Sequence, residues 1–155
     1  SKKLSRTTRQ KLAAHIQEVA MAWKIGYADH QEIDQTNIFQ ASLLAMRRAV
    51  VGLEVQPELC LVDGKWSLPE LPIPQQTLVK GDERSLVIAA ASIVAKVWRD
   101  ELIVGLAADH PVYDLANNKG YGTQRHLMAL QQHGPSPLHR MSFSPCRIVP
   151  RTQDC

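Results

Sequence analysis

The feature that most constrains the fold is a long apolar segment after Gly81-Asp82, which predicts a helix from about Glu83 to Ala108. The first half of this segment is apolar on nearly every side, which is typical of a helix packed against several neighbours. Its polar residues nevertheless fall within an arc of roughly 100° on a helical projection; they are Ser85, Ser92, Lys96, Arg99 and Asp100. This stripe is either a functional face or an ordinary Lys96–Asp100 pair facing solvent.

Two further helices precede the long one, and one follows it. Ser5 is a candidate N-cap for an amphipathic helix, whose apolar face comprises Leu12, Ala13, Ile16, Val19 and Ala20. Asp34 is expected to cap a helix from about Gln35 to Val51. The last helix is predicted from about Thr123 to His133, before an irregular basic tail.

Three segments are predicted as strands. Trp23, Ile25 and Tyr27 alternate with small or polar residues, as in a half-buried strand. The apolar run 59–62 leads into Asp63-Gly64, and a short strand is expected at 76–79. Helices that alternate with strands indicate an α/β or α+β fold. We expect one domain over residues 1–155, in which 123–155 form a C-terminal helix and basic tail.

Length and composition agree with a globular protein. A chain of 155 residues, 45% of them hydrophobic, can bury a core without disulfide or metal. No run of about 18 uncharged apolar residues occurs, so no membrane span is expected. Three cysteines without a C-x-x-C pair, and basic N-terminal residues without an apolar stretch, favour a cytoplasmic location.

Charge is unevenly distributed along the chain. Residues 1–24 carry a net charge of +5 and residues 117–155 a net charge of +4, so the middle is acidic at −6. Basic flanks around an acidic centre suit a protein that holds a phosphate backbone and gathers carboxylates. Solvated surface charge explains this distribution equally well.

A few residues could carry chemistry. Asp63 ends a buried strand, where a carboxylate can project into a cleft as a metal ligand, although Asp-Gly is also an ordinary turn. Asp100 is a second carboxylate, but a phosphodiester-cleaving site needs several. Tyr121 lies between two glycines beside Lys119 and is either an exposed stacking ring or buried in a tight turn. The six histidines show no metal-ligand spacing and are interpreted as surface or loop residues.

Taken together, these segments resemble the type 2 ribonucleases H, and within them bacterial ribonuclease HII. The matching segments run in order through nearly the whole chain: Ser1-Lys-Lys-Leu-Ser5, Glu32-Ile-Asp-Gln-Thr-Asn-Ile38, Leu61-Val-Asp-Gly64, Lys80-Gly-Asp82, Ala89-Ala-Ala-Ser-Ile-Val-Ala-Lys-Val-Trp-Arg-Asp100, Lys119-Gly-Tyr-Gly-Thr123 and His139-Arg-Met-Ser-Phe143. The segment ending in Arg99-Asp100, followed by Lys119-Gly-Tyr, is the most specific of them.

The resemblance implies a ribonuclease H-like fold, with a mixed central sheet flanked by helices and a C-terminal helical extension. It also implies an endoribonuclease that cleaves the RNA strand of RNA–DNA hybrids and incises duplex DNA 5′ of an embedded ribonucleotide. Four carboxylates in the family hold Mg²⁺ or Mn²⁺ for two-metal phosphodiester hydrolysis. On this basis the partners are RNA–DNA hybrid and ribonucleotide-containing duplex DNA, and the protein is expected to be a monomer.

Carried over by residue, the resemblance assigns the third carboxylate to Asp63 and the fourth to Asp100. Tyr121 matches the tyrosine that packs at the junction between ribonucleotide and deoxynucleotide. Charge and position suggest further substrate contacts at Lys2, Lys3, Lys96, Lys119 and Gly120. Asp82 is interpreted as a possible cap of the long helix.

The chain departs from the family at its start, because it begins at Ser-Lys-Lys-Leu-Ser, which normally follows an Asp-Glu-x-Gly-Arg-Gly segment carrying the first two carboxylates. We therefore expect the first strands of the sheet to be missing and these 155 residues to show impaired metal binding and little or no cleavage. Two alternatives remain: a catalytically inactive nucleic-acid-binding module, and an unrelated acid–base hydrolase using Asp63 and Asp100.

Overall fold

The structure is a computed structural model that describes residues 3–147, and these divide into two compact units. The first unit holds residues 3–28 and 37–98, and the second holds residues 29–36 and 99–147. In chain order the elements are α1 (Arg6–Val19), α2 (His30–Gln35), α3 (Ile38–Val51), β1 (Cys60–Asp63), β2 (Gln75–Leu78), α4 (Gly81–Arg84), α5 (Leu86–Leu106), α6 (Leu115–Asn118) and α7 (Gln124–His133). Short 3-10 turns lie at Pro111–Tyr113 and Ser144–Arg147.

The sheet of the first unit consists of the parallel pair β1–β2, in which Cys60 lies opposite Gln75 and Asp63 opposite Leu78. Both strands lie within one residue of their predicted positions. Parallel strands require a crossover connection, here residues 64–74. Gln75, the first residue of β2, bonds to Leu68 in this connection. Its side chain accepts a 2.7 Å hydrogen bond from the N–H of Leu68 and donates a 3.0 Å hydrogen bond to the Leu68 carbonyl.

Of two predicted helix caps, one is confirmed and the other is wrong. Ser5 caps α1 and accepts a 3.1 Å hydrogen bond from the N–H of Thr8, as predicted. Asp34 was expected to cap the next helix, and this is wrong, because Asn37 caps α3 and Asp34 lies inside α2. The reason is at Thr36, where φ −115° and ψ −98° end α2 before α3 can begin.

The long helix differs from its prediction in two ways. Ser85 adopts extended φ and ψ, so α4 and α5 are separate helices. Asp82 does not cap either of them, since Lys80 precedes α4 in the left-handed conformation. The first half of α5 is also not packed on all sides, because Leu86 is 90% exposed and Val87 68% exposed.

The strand predicted at Trp23–Tyr27 is wrong, since this segment pairs with no strand among residues 3–147. It lies against α3 in the same unit. A Cβ on Gly26 would stand 2.1 Å from the carbonyl oxygen of Ala45, so main chain packs directly on main chain. Arg48 donates a 2.8 Å hydrogen bond to the carbonyl of Tyr27, so this main-chain acceptor is bonded by a side chain of α3.

Each unit has its own core. In the first unit one cluster joins α3 to the strands (Leu43, Cys60, Val62 and Leu68), and another joins α1 to α5 (Ala13, Ile93 and Val94). In the second unit the core comprises Tyr113, Leu115, Ala129, Leu130 and Cys146. The mixture of helices and a parallel strand pair confirms the α/β class. No helix within residues 3–147 combines the length and apolar character needed to cross a bilayer.

Candidate functional site

Asp63 is the last residue of β1, at the strand end predicted for it. Its side-chain Oδ1 accepts a 2.7 Å hydrogen bond from the main-chain N–H of Gly81, the first residue of α4. The backbone approaches closely here, because a Cβ on Gly81 would lie 3.2 Å from the same Oδ1 and 2.6 Å from Cδ1 of Ile88. Strand and helix together therefore fix the position of the Asp63 carboxylate.

Asp82 directly follows the glycine that holds Asp63 and lies in the same unit. The interpretation of Asp82 as a helix cap misses this proximity. The sequence Lys80-Gly81-Asp82 could have indicated this proximity, because a glycine suited to close approach precedes a carboxylate.

Asp100 lies in α5 within the second unit. Its side chain is 16% exposed, and Oδ1 stands 3.6 Å from Nη1 of Arg99. Within residues 3–147, no group of three or more His, Cys, Asp or Glu side chains is arranged to hold a metal ion. Carboxylates suit Mg²⁺ and Mn²⁺, but the described residues do not make a complete site for either ion.

The Lys119–Tyr121 segment forms a loop built on the buried side chain of Asn118, which is 7% exposed. The Asn118 side-chain amide donates a 2.6 Å hydrogen bond to the carbonyl of Tyr113, and its Oδ1 accepts 2.8 Å from the N–H of Gly120. Lys119 and Gly120 both have positive φ, 53° and 76°, so the chain reverses sharply before Tyr121. This reversal explains why a glycine follows Lys119.

Tyr121 is 56% exposed, so the interpretation of a ring buried in a tight turn is wrong, and stacking on a nucleic acid stays a prediction. The guanidinium of Arg99 lies 5.1 Å from the ring centroid, as in a cation–π contact. Nη1 of Arg99 also donates a 2.6 Å hydrogen bond to the carbonyl of Lys119. Arg99 therefore contacts both the ring and the loop. The sequence places Arg99 in the polar stripe of α5 but does not predict these two contacts.

The predicted basic contacts differ in their surroundings. The ammonium of Lys119 donates a hydrogen bond to the carbonyl of Ala116 in the same loop region. Lys96 is half-buried in α5. Lys3 is 87% exposed and stands 3.3 Å from Glu83 Oε1, while Lys2 lies outside the described residues.

The interpretation of all six histidines as surface or loop residues is wrong for His126, which lies in α7 and is 4% exposed. Its Nε2 is 3.0 Å from Nε2 of His139. Burial lowers the pKa of the His139 imidazole, and the neighbouring His126 adds to the shift. Tyr113 packs on His139 with ring centroids 4.7 Å apart, and burial raises the pKa of its phenol. Spacing alone could not show this pairing.

Asp34 holds the segment that contains His139. Its carboxylate accepts hydrogen bonds from the N–H of Met141 (2.6 Å), the N–H of Ser142 (3.1 Å) and the hydroxyl of Ser142 (2.5 Å). The Ser142 hydroxyl is the largest of the causes that lower the pKa of the Asp34 carboxyl, and both main-chain bonds lower it further. Asp34 thus ties α2 to the His139–Phe143 segment of the second unit.

A protein-family model and several known proteins match this chain. The family model described as Ribonuclease HII matches residues 1–146. The chain is 62% identical over 148 residues to Ribonuclease HII of Trichormus variabilis, covering 96% of this chain and 66% of that protein. It is 61% identical over 150 residues to Ribonuclease HII of a Nostoc species, covering 97% of this chain and 67% of that protein.

The fold is shared with a more distant structure. The ribonuclease H2 from Pyrococcus horikoshii OT3 matches with a TM-score of 0.80 over 95% of this chain and 77% of that one, at 21% sequence identity. The chain spans about two thirds of the length of the curated relatives named above. The family match extends over both units and includes Asp63, Asp82, Asp100 and Tyr121, and on this basis the chain belongs to the ribonuclease HII family.

Proposed function

We propose that this chain supplies the substrate-binding loop and part of the carboxylate set of an endoribonuclease. Its substrates are RNA–DNA hybrids and duplex DNA with an embedded ribonucleotide, which it incises on the 5′ side of the ribonucleotide. The proposal is supported by family membership and by the names of the relatives. The relatives are longer than this chain, so the proposal concerns the part that these residues play.

The observation that carries the proposal is the exposed Tyr121 ring with the Arg99 guanidinium against it. An exposed aromatic ring can stack on a base or sugar, and an adjacent cation favours a phosphate backbone. The Gly120 N–H is already bonded to Asn118, so the loop is held before any substrate arrives. A preformed loop loses less conformational entropy on binding.

Asp63 and Asp100 are the carboxylates proposed to take part in catalysis and metal binding, with Mg²⁺ or Mn²⁺ as the ion. Asp82 is added to this set because Gly81, the residue before it, donates to Asp63. Two or three carboxylates leave a hard divalent ion with few protein ligands. We therefore propose that a polypeptide of these 155 residues binds the ion weakly and cleaves little or not at all.

Hybrid binding tests the interface. The 155-residue chain is titrated with a fluorescently labelled RNA–DNA hybrid at several salt concentrations. We expect affinity that falls with salt and a loss of about tenfold or more in Tyr121→Ala, since base stacking contributes about 1–3 kcal/mol. Tyr121→Phe keeps the ring and should bind like the parent chain. Affinity that is insensitive to salt, or equal in all three proteins, would contradict the nucleic-acid interface.

Carboxylate variants test the ion site. Mn²⁺ binding is measured by calorimetry for Asp63→Asn, Asp82→Asn and Asp100→Asn, with Asp109→Asn as a matched control on an exposed acid. We expect Asp63→Asn to remove what binding there is and the control to preserve it. Whichever of the other two variants shares the loss identifies the partner of Asp63. Robust Mg²⁺-dependent incision by the parent chain would overturn the proposed impairment.

The second candidate, a catalytically inactive binding module, is favoured by the absence of a three-ligand cluster within residues 3–147. The two functions differ in what Asp63→Asn does. In the part of a nuclease proposed above, the substitution removes Mn²⁺ binding and leaves hybrid binding largely intact. In a binding module neither the parent chain nor the variant binds the ion.

A further inference from the structure

His126 and His139 form a pair whose tautomers are fixed by their outer partners. Nδ1 of His126 is 3.0 Å from the carbonyl oxygen of Tyr121, which can only accept, so this nitrogen carries a proton. Nδ1 of His139 lies 3.0 Å from the N–H of Ser136, which can only donate, so that nitrogen is an acceptor. The neutral His139 then has its proton on Nε2 and donates it to Nε2 of His126 across 3.0 Å.

A continuous chain of donors results, running from Ser136 through His139 and His126 to the carbonyl of Tyr121. The hydroxyl of Ser136 reinforces its start, 2.8 Å from Nδ1 of His139, and itself accepts from the N–H of Leu138. At its end, the Tyr121 carbonyl also accepts 2.8 Å from the N–H of Thr123. His126 is buried and Ser136 is 9% exposed, so water competes little for these bonds.

We propose that His126 is a positioning residue for Tyr121: through Nδ1–H it holds the main chain of the loop so that the ring faces outward. The inference deepens the proposed function, because it assumes that the Tyr121 ring contacts the nucleic acid. His126 itself touches no substrate in this arrangement.

Protonation of His139 leaves this hold in place. A proton added to Nδ1 of His139 can be donated to the Ser136 hydroxyl, whose oxygen lies 2.8 Å away, while Nε2–H of His139 still donates to His126. His126 keeps its Nδ1–H toward the Tyr121 carbonyl.

The test combines spectroscopy with matched variants of the 155-residue chain. Long-range ¹H–¹⁵N spectra of the parent chain should show His126 as the Nδ1–H tautomer and His139 as the Nε2–H tautomer at pH 7.5. The Gly122 amide signal should shift in His126→Phe and return toward its parent position in His126→Asn, because the Tyr121 carbonyl loses and then regains its side-chain donor. These measurements need no nucleic acid, so they test the positioning role even if hybrid binding fails.

Variants of His126 then distinguish the contribution of its hydrogen-bond donor from that of its ring. His126→Phe keeps a ring without a donor and should lower hybrid affinity at pH 7.5 by about tenfold, comparable to loss of stacking at Tyr121. His126→Asn places an amide N–H near the position of Nδ1 and should recover most of that loss. The Nε2–H tautomer at His126, a Gly122 amide signal that is unchanged in His126→Phe, or full affinity in a folded His126→Phe would each overturn the proposal. Absence of hybrid binding in the parent chain would instead count against the proposed function.

Discussion

The main-chain N–H of Gly81 donates to Oδ1 of Asp63, so the first residue of α4 fixes the carboxylate at the end of β1. This contact exists because residue 81 has no side chain, which lets the helix start approach the strand end. The nearest atoms to a new Cβ are a side-chain methyl and a carboxylate oxygen rather than main chain. The site can therefore accommodate a methyl group, at a cost.

Gly81→Ala is expected to destabilise the chain by about 1–2 kcal/mol, because the added Cβ would stand 2.6 Å from Cδ1 of Ile88 and overpack the core. Urea unfolding followed by circular dichroism measures the change. Gly105→Ala is the matched control: nothing lies within 4 Å of its Cβ, and alanine in a helix interior should stabilise by about 0.5–1 kcal/mol. Equal stability of Gly81→Ala and the parent chain would show that α4 does not rest on β1 this closely.

Gly26→Ala should be more damaging, with a loss of about 3 kcal/mol or more, since overpacking against main chain has no side chain that can yield. The new Cβ would lie 2.1 Å from the Ala45 carbonyl oxygen and 2.4 Å from the Ala49 nitrogen. The same unfolding measurement checks it beside Gly81→Ala. A smaller loss at residue 26 than at residue 81 would contradict the packing of this segment on α3.

Asn37→Ala should cost about 1 kcal/mol, the usual loss when a helix N-cap side chain is removed. The Asn37 side-chain oxygen accepts a 2.9 Å hydrogen bond from the N–H of Gln40, and alanine cannot replace it. Asn37→Asp keeps the acceptor and should retain parent stability. If both variants unfold at the same urea concentration as the parent chain, α3 does not depend on this cap.

The Asp34 carboxyl predicts an acid-sensitive contact. Its pKa is lowered in the folded chain, chiefly by the Ser142 hydroxyl, below the ordinary value of 3.8. A carboxyl with a lowered pKa contributes stability that is present above the unfolded pKa and is lost as the pH falls below it. The difference in urea midpoint between the parent chain and Asp34→Asn should therefore be largest near neutral pH and shrink below about pH 3.8.

Amide hydrogen exchange localises this effect. The N–H groups of Met141 and Ser142 should exchange faster in Asp34→Asn at neutral pH, because an amide presents one acceptor where the carboxylate presents two. Asp109→Asn, on an exposed acid, serves as the control and should leave both exchange rates unchanged. A pH dependence that is identical in the parent chain and in Asp34→Asn would refute the assignment.

Local signals predicted much of the fold. Ser5 is an N-cap as expected, because capping depends on residues within one turn. The strand ending at Asp63 is predicted by its short apolar run and the Asp-Gly turn, and α7 begins one residue after the predicted start at Thr123. The sequence left open whether Tyr121 is exposed or buried, and only the structure distinguishes the two, since burial depends on distant residues.

The errors share a physical cause. Asp34 and Asn37 are both good caps, and the choice between them is set by the main-chain break at Thr36, which has no strong local signature. His126 is buried because His139 and Tyr113 pack on it, and a partner 13 residues away has no fixed spacing in the sequence. Asp82 was interpreted as a helix cap, whereas Gly81 beside it contacts Asp63, a strand residue 18 positions before Gly81.

The Gln75 side chain, which bonds both main-chain groups of Leu68, bears on how the parallel pair β1–β2 can assemble. Aligning two parallel strands requires closing a long connection before any ladder bond forms, which makes such pairs slow to nucleate. The Gln75 amide closes a shorter ring within that connection, and Pro69, Pro72 and Pro74 limit the conformations the open chain can sample. The open chain therefore has fewer conformations to lose, and the entropy lost in bringing β2 alongside β1 is correspondingly reduced.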